Sequence, residues 1–237
     1  MGATWWDIFV ASDIGAERHL IADRLVPRGV DVLDVGCGRG YFSFACAKVA
    51  HVTSIDLMDG EKRTGWWNEF KATSELLGIP RLVSGLRASA TSFPFAKGQF
   101  DLVASVHSIR NFGSKEEIRS FFREAKRVLC KGGQLVVVES DIERAGPLYS
   151  AFYAMRTKLK WELRFPPIPE LVSWLRSEGF SKTVHESFET SLEYAPVYFR
   201  FNSKSMKNIR RDYAAAMKLL ARSREHSPPV FVLIATL

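Results

Sequence analysis

The chain has 237 residues, enough for one domain with a sizeable buried core. Hydrophobic residues at 46% and charged residues at 25% exclude a disordered or fibrous chain, and no apolar run reaches bilayer-spanning length. A net charge of +7 and a pI near 9.4 favour an anionic partner or surface. The three cysteines, Cys37, Cys46 and Cys130, lack CxxC spacing and point to a reduced, cytoplasmic setting. Charged residues such as Asp7 and Asp13 interrupt the N-terminus, so it does not read as a secretory signal.

Residues 4–26 read as one or two helices, with Trp5, Trp6, Phe9 and Val10 clustered and Ile14, Leu20, Ile21 and Leu25 at helical spacing. The segment packs on the sheet edge or forms a lid with Trp5 or Trp6 facing a ligand. Val32-Leu33-Asp34-Val35 then reads as a buried strand that stops in Gly36-Cys37-Gly38-Arg39-Gly40. Phe42, Ala45, Cys46 and Val49 follow at helical spacing. Strand, glycine turn and helix open a nucleotide-binding α/β fold. The third glycine falls one place earlier than in a dinucleotide fingerprint. Asp34 in the strand end repels a phosphate and favours a cationic ligand.

The stretch VLDVGCGRG resembles the first motif of the class I S-adenosylmethionine-dependent methyltransferases. The remaining elements continue that resemblance in register. His51-Val52-Thr53-Ser54-Ile55-Asp56 reads as a second strand ending in an acid. The resemblance gives Asp56 the ribose hydroxyls of the cofactor and sets Leu57 and Met58 beside adenine; as a plain strand-end acid, Asp56 would cap a turn. Residues 61–77 read as a helix ended by Gly78-Ile79-Pro80, and Leu82-Val83 as a short third strand. Before Phe93-Pro94-Phe95, the family carries an Asp-Ala pair at adenine, whereas this chain has Ser89-Ala90. A serine hydroxyl accepts a hydrogen bond less strongly than a carboxylate.

Phe100 to Val106 reads as the fourth strand. The loop after it, His107-Ser108-Ile109-Arg110-Asn111-Phe112, lies where an acceptor must approach. His107 is the candidate base, with cofactor contact or packing as its other role. Arg110 and Asn111 either bind an acceptor oxygen or brace the loop. Ser114 and Glu117 form a capping box for a helix carrying Ile118, Phe121, Phe122, Ala125 and Val128 at core spacing. Lys131-Gly132-Gly133 turns into a fifth strand, Leu135 to Glu139. The segment RVLCKGG resembles the family's RVLKPGG. Ile-Arg-Asn-Phe, and Phe165-Pro166 followed by Leu171, Trp174-Leu175 and Glu178-Gly179-Phe180, resemble the ubiquinone and menaquinone biosynthesis C-methyltransferases. His107 and Ser108 depart from the apolar and glycine residues of that loop.

Residues 146–161 read as a helix, Thr183 to Leu192 as a sixth strand and Val230 to Leu237 as the last. Between them, a basic amphipathic helix spans residues 203–224, with Lys204, Lys207, Arg211, Lys218 and Arg222 on one face. It is a solvated helix or a contact for an anionic membrane or polynucleotide.

The expected fold is a Rossmann-like class I methyltransferase: a seven-stranded, mostly parallel sheet with helices on both faces and an antiparallel last strand. Residues 1–237 form one domain, with a helical lid at 1–29, a cofactor-binding core at 30–140 and a substrate-side part at 141–237. The resemblance implies S-adenosylmethionine, released as S-adenosylhomocysteine, at Asp34, Gly36, Cys37, Gly38, Gly40, Asp56, Leu57, Met58, Ser89, Ala90 and Val106. The candidate acceptor contacts are Trp6, Arg110, Asn111, Tyr153 and Tyr198. No His/Asp/Glu cluster has metal-ligand spacing. The favoured function is C- or O-methylation of a small lipophilic or aromatic acceptor. An RNA or protein methyltransferase is the second reading, although the Pro-Pro-aromatic loop of nucleobase amino methyltransferases and a Pro-Cys pair are both missing. A non-catalytic cofactor-binding module is the third. The expected location is cytoplasmic, peripheral to a membrane if the basic helix contacts one.

Overall fold

The computed structural model describes residues 13–58, 65–144, 146, 166–188 and 230–237. The helix expected over 203–224, the first twelve residues of the lid, and Trp6, Tyr153 and Tyr198 lie outside them. Packing divides the chain into two compact units. The larger comprises Arg18–Glu139, Arg164–Glu186 and Val232–Leu237 and carries the features below. The other comprises Met1–Glu17, Ser140–Leu163 and Ser187–Phe231. Its described part includes a turn in which the Arg144 amide donates to Asp141 Oδ1 at 3.3 Å.

The elements run α1 (Asp13–Leu25), β1 (Asp31–Val35), α2 (Tyr41–Cys46), β2 (His51–Asp56), α3 (Trp66–Leu76) and β3 (Val83–Arg87). They continue with β4 (Phe100–Val106), a 3₁₀ turn (Ile109–Asn111), α4 (Lys115–Val128), β5 (Leu129–Ser140), α5 (Ile168–Ser177), β6 (Lys182–Phe188) and β7 (Val230–Thr236). The seven strands form one sheet in the order β3-β2-β1-β4-β5-β7-β6. β1 pairs in parallel with β2 and β4, β2 with β3, and β4 with β5. At the other edge the Leu237 amide donates to Gly133 O at 3.1 Å, and the Ser181 amide to Thr236 O at 2.9 Å. The end of β7 thus lies beside the starts of β5 and β6, which makes β7 antiparallel to both.

The parallel strands are buried on both faces, so they read as continuous apolar runs. Val32, Leu33 and Val35 of β1 and Val137 and Val138 of β5 are fully buried. The sheet order reverses at β1 and β4, and this switch point is where an open α/β sheet forms its ligand crevice. Two strands exceed the sequence reading. β3 runs on to Arg87 although Ser84 to Arg87 are exposed, because an edge strand needs a single pairing partner and takes it from β2. β5 begins directly at Leu129, and Gly132 (φ +80°) lets the pairing with β4 shift register between Phe100 and Leu102.

The helix α4 is capped by the expected Ser114 and Glu117, with the glutamate's return bond taken from Gly113, one residue before the N-cap. Ser114 Oγ accepts from the Glu117 amide at 3.1 Å, and Glu117 Oε2 accepts from the Gly113 amide at 2.7 Å. Ile118, Phe121, Phe122, Ala125 and Val128 are all fully buried. The outer side of α4 fixes the loop before β4. Arg127 donates to Phe93 O at 2.9 Å and Phe95 O at 2.7 Å, while Glu124 Oε2 accepts from the Phe93 amide at 2.6 Å. The Phe93-Pro94-Phe95 motif is therefore held through its backbone by a Glu–Arg pair on a neighbouring helix.

Candidate active site

The glycine turn between β1 and α2 is built from backbone. Gly36, Gly38 and Gly40 have φ of +75°, +55° and +89°, conformations that other residues adopt at a cost. The Gly36 and Cys37 amides donate to Ile55 O at 2.8 and 3.1 Å, tying the turn to the end of β2. A Cβ on Gly36 would lie 1.7 Å from Ser108 Oγ, so this glycine is required by the close approach of the loop after β4. A Cβ on Gly40 would meet Phe70 at 2.5 Å and Phe44 at 2.7 Å. At Gly38 the nearest atom would be the Trp66 ring at 3.5 Å. The Arg39 guanidinium lies 5.1 Å from the Trp66 ring centroid and pairs with Glu69 at 2.8 Å. At six residues α2 is too short to supply a strong helix dipole.

The two acids of this region differ. Asp34 is 2% exposed, and its Oδ2 accepts from Ser43 Oγ at 2.5 Å; the Ser54 hydroxyl in turn donates to Ser43 Oγ at 2.8 Å. Burial pushes its carboxyl up to about 7, against the Ser43 hydrogen bond, with the nearby Asp56 charge adding to the rise. Asp34 therefore braces α2 against the strands from inside the strand end. Asp56 is half-buried at the end of β2. Its Oδ2 accepts from the Gly38 amide at 2.9 Å and its Oδ1 from the Met58 amide at 2.8 Å. These bonds fix the carboxylate at the turn, and each oxygen keeps a further lone pair. Leu57 beside it is 45% exposed, and Met58 is buried with φ +50°. Cys37 is half-buried, with its Sγ 3.8 Å from Gly38 O. Ser89 and Ala90 are half-buried; Ser89 Oγ lies 2.8 Å from Thr91 Oγ1 and accepts from the Thr91 amide at 3.2 Å.

The second cluster sits at the carboxyl ends of β4 and β5. His107 follows the buried Val106 with φ +54°, a strained conformation for a non-glycine residue. Its amide donates to Val138 O at 2.8 Å, and its Nδ1 lies 3.3 Å from Glu139 Oε1. Arg110 Nη2 is 3.1 Å from the same oxygen, the Arg110 amide is 3.4 Å from Oε2, and Arg110 Nε donates to His107 O at 3.3 Å. Glu139 is 1% exposed, and the His107 and Arg110 side chains are 7% and 8% exposed. Burial, first, and the charges of Arg18 and Arg110 push His107 down to about 3, against the pull of Glu139. Asn111 is exposed, with Nδ2 donating to Ser108 O at 3.3 Å.

The structure thus brings together Gly36, Gly38 and Asp56 at one point, and His107 and Arg110 at another, with Ser108 bridging to Gly36. It adds Glu139, which sequence reading treats as the last residue of an apolar strand. The available signal was its place: an acid at the carboxyl end of β5, one residue before the last, much as Asp56 closes β2.

Residues 33–137 match the methyltransferase domain family. The demethylmenaquinone methyltransferase of Staphylococcus aureus is 27% identical over 185 residues, covering 75% of this chain and 72% of that protein. Residues 33–137 thus form a methyltransferase domain, similar to those of the S-adenosylmethionine-dependent enzymes that the glycine turn resembles. The fold superposes on the YcgJ protein of Bacillus subtilis with a TM-score of 0.67 at 16% identity, covering 93% and 97% of the two chains. It also superposes on the geranyl diphosphate C-methyltransferase of Streptomyces coelicolor, with a TM-score of 0.62 at 16% identity and coverage of 94% and 80%.

The residues of the turn fit S-adenosylmethionine. Glycines keep side chains away from the turn, and a half-buried carboxylate and an exposed apolar side chain stand side by side at Asp56 and Leu57. Acids, rather than a phosphate-binding basic group, flank the glycines, and Arg39 is paired with Glu69. Among the described residues no three His, Cys, Asp or Glu side chains group to hold a metal ion, and no helix is long and apolar enough to cross a membrane.

Proposed function

We propose that the chain is an S-adenosylmethionine-dependent methyltransferase that methylates a carbon or oxygen of a small lipophilic acceptor, approached over the carboxyl ends of β4 and β5. The observation that carries this reading is the contact of Ser108 with Gly36. It makes the residue next to His107 part of the wall of the glycine turn, so a base and the cofactor turn are neighbours.

Asp56 would hold the ribose hydroxyls with the lone pairs that Gly38 and Met58 leave, and Leu57 and Met58 would flank adenine. When bound, S-adenosylmethionine supplies an electrophilic methyl group on a positively charged sulfur. The chain's own task is to place an acceptor in line and to exclude water, and placement alone supplies much of the acceleration. His107 enters that site neutral, since burial disfavours its charged form. A neutral imidazole has a lone pair for the proton of an acceptor hydroxyl or acidic carbon, and the Glu139 carboxylate opposes the burial that disfavours the protonated ring. Arg110 and Asn111 shape the same rim through their bonds to Glu139 and Ser108.

The lipophilic character of the acceptor is supported by the quinone methyltransferase relative and by the Ile109-Arg110-Asn111-Phe112 loop. The basic segment 203–224 would bring the enzyme to an anionic membrane surface where such acceptors reside. The test uses labelled S-adenosylmethionine with four acceptors: short-tailed demethylmenaquinone in reduced form, geranyl diphosphate, total RNA and a protein fraction. The first two, presented with anionic liposomes, are expected to accept label from the wild type and tenfold less from His107→Gln. Label in RNA or protein alone refutes the reading.

A further inference from the structure

We propose that Glu139 is a positioning residue that fixes His107 as its Nδ1–H tautomer, leaving Nε2 as the nitrogen that takes up the acceptor's proton. This rests on the methyl-transfer reading above and deepens it.

The pairing of β4 with β5 creates the arrangement. Val106 stands opposite Val138, and the His107 amide continues that ladder to Val138 O. The next residue of β5, Glu139, therefore meets the His107 ring across the sheet. A carboxylate this buried needs donors, and three converge on it: Arg110 Nη2, the Arg110 amide and His107 Nδ1. With Arg110 keeping the carboxylate ionised, Glu139 is an acceptor only. The ring nitrogen that faces it must then carry the hydrogen, and the imidazole lone pair is on Nε2.

The left-handed backbone at His107 is the second observation. A non-glycine residue keeps such a conformation only where its surroundings over-determine it. Here the ring bond to Glu139 and the bond from Arg110 Nε to His107 O hold both ends of the residue. Among the described residues, the charged groups acting on the ring are Glu139 from β5, Arg110 from the 3₁₀ turn and Arg18 from α1. Burial, with the two arginines adding to it, keeps the resting ring neutral. Glu139 stabilises the imidazolium once a proton arrives. In the step itself the acceptor's O–H or C–H bond breaks, an Nε2–H bond forms, and the electron pair stays on the acceptor as its nucleophile. Glu139 does not touch the acceptor and acts through the ring.

The test begins without substrate. Imidazole ¹⁵N spectra of the wild type between pH 5 and 8, with the His107 signal identified by its loss in His107→Gln, are expected to show the Nδ1–H form alone and no titration. In Glu139→Gln one oxygen replaces two beneath three donors, and the Nε2–H form is expected to appear. With reduced demethylmenaquinone, kcat is expected to fall at least tenfold while KM changes less than threefold. Glu139→Asp is expected to restore part of both. An Nε2–H tautomer in the wild type overturns the proposal, as does a Glu139→Gln protein with unchanged tautomer and kcat. If Glu139→Gln does not fold, the wild-type spectrum and Glu139→Asp decide. If no acceptor is methylated, the methyl-transfer reading fails while the tautomer spectrum still judges Glu139.

Discussion

The glycine turn after β1 and the rim formed by β4 and β5 lie in contact but are built from different materials. The turn is backbone: three positive-φ glycines, amides aimed at Ile55 O, and one carboxylate held by the amides of Gly38 and Met58. The rim is side chain: a histidine, an arginine and a glutamate, all nearly excluded from water and bonded to one another. A backbone cradle leaves a glycine pattern in a short stretch of sequence. A side-chain cluster assembled across two parallel strands leaves none, because its members come from positions that only the pairing brings together. The first suits a cofactor that does not vary, and the second suits an acceptor that differs between enzymes.

The comparison is broken most severely at its seam. Gly36→Ala would place a Cβ 1.7 Å from Ser108 Oγ and 2.6 Å from Ser108 Cβ at a φ of +75°. Left-handed strain of about 1–2 kcal/mol and overpacking of about 1–3 kcal/mol together predict a loss of about 2–5 kcal/mol in urea unfolding. Adding Ser108→Gly removes both offending atoms and leaves Cα at 3.9 Å, an ordinary contact. The double variant is expected to recover all but the backbone strain. If Ser108→Gly recovers nothing, turn and rim are not in the contact described.

What the sequence made legible follows the same division. The strand–turn–helix, the acid ending β2 and the stripe of α4 were readable because each rests on local spacing, whereas the antiparallel last strand was implied by the family resemblance. Spacing located the acid Asp34, but not its burial against Ser43 and Ser54, which packing alone supplies. Glu139 was passed over because a run of valines precedes it and nothing local distinguishes a paired carboxylate from a strand-end cap. Arg110 and Asn111 were left between binding and bracing. Only the third dimension supplies the bonds to Glu139 and Ser108 O.

The two regions are also separable by pH, through buried groups shifted in opposite directions. Asp34 holds its proton up to about 7, against an ordinary 3.8. Between those values the folded state binds more protons than the unfolded chain. Its contribution to stability is fully present below about 4 and is lost as pH rises through 7. His107, pushed from 6.5 down to about 3, is the reverse. The unfolded chain binds more protons there, so its contribution is present above 6.5 and is lost as pH falls through 3. From about pH 4 to 6.5 the two slopes oppose each other. Urea unfolding across that window is expected to show stability rising more steeply with pH in Asp34→Asn than in the wild type. In His107→Gln it is expected to rise less steeply, or to fall. Two variants with the same slope would mean that one of these side chains is not buried as described.

The smallest expected effect sharpens the comparison by adding a charged side chain to the backbone cradle. At the position where the resemblance implies an aspartate, Ser89 turns its hydroxyl to Thr91, 2.8 Å from Oγ1 and accepting the amide at 3.2 Å. An aspartate in its place retains the turn, since its carboxylate accepts the same Thr91 amide. It also offers the adenine amino group a charged acceptor in place of a hydroxyl, and such bonds are about twice as strong as neutral ones. Ser89 is only half-buried, so water competes for the bond and part of that gain is lost. Calorimetry of S-adenosylmethionine binding is therefore expected to show Ser89→Asp tighter by about 0.5–1.5 kcal/mol. S-Adenosylhomocysteine should gain equally, because the two share the adenine. Equal affinities of wild type and variant would move adenine away from Ser89, and a gain confined to S-adenosylmethionine would trace the effect to the sulfonium charge instead of the base.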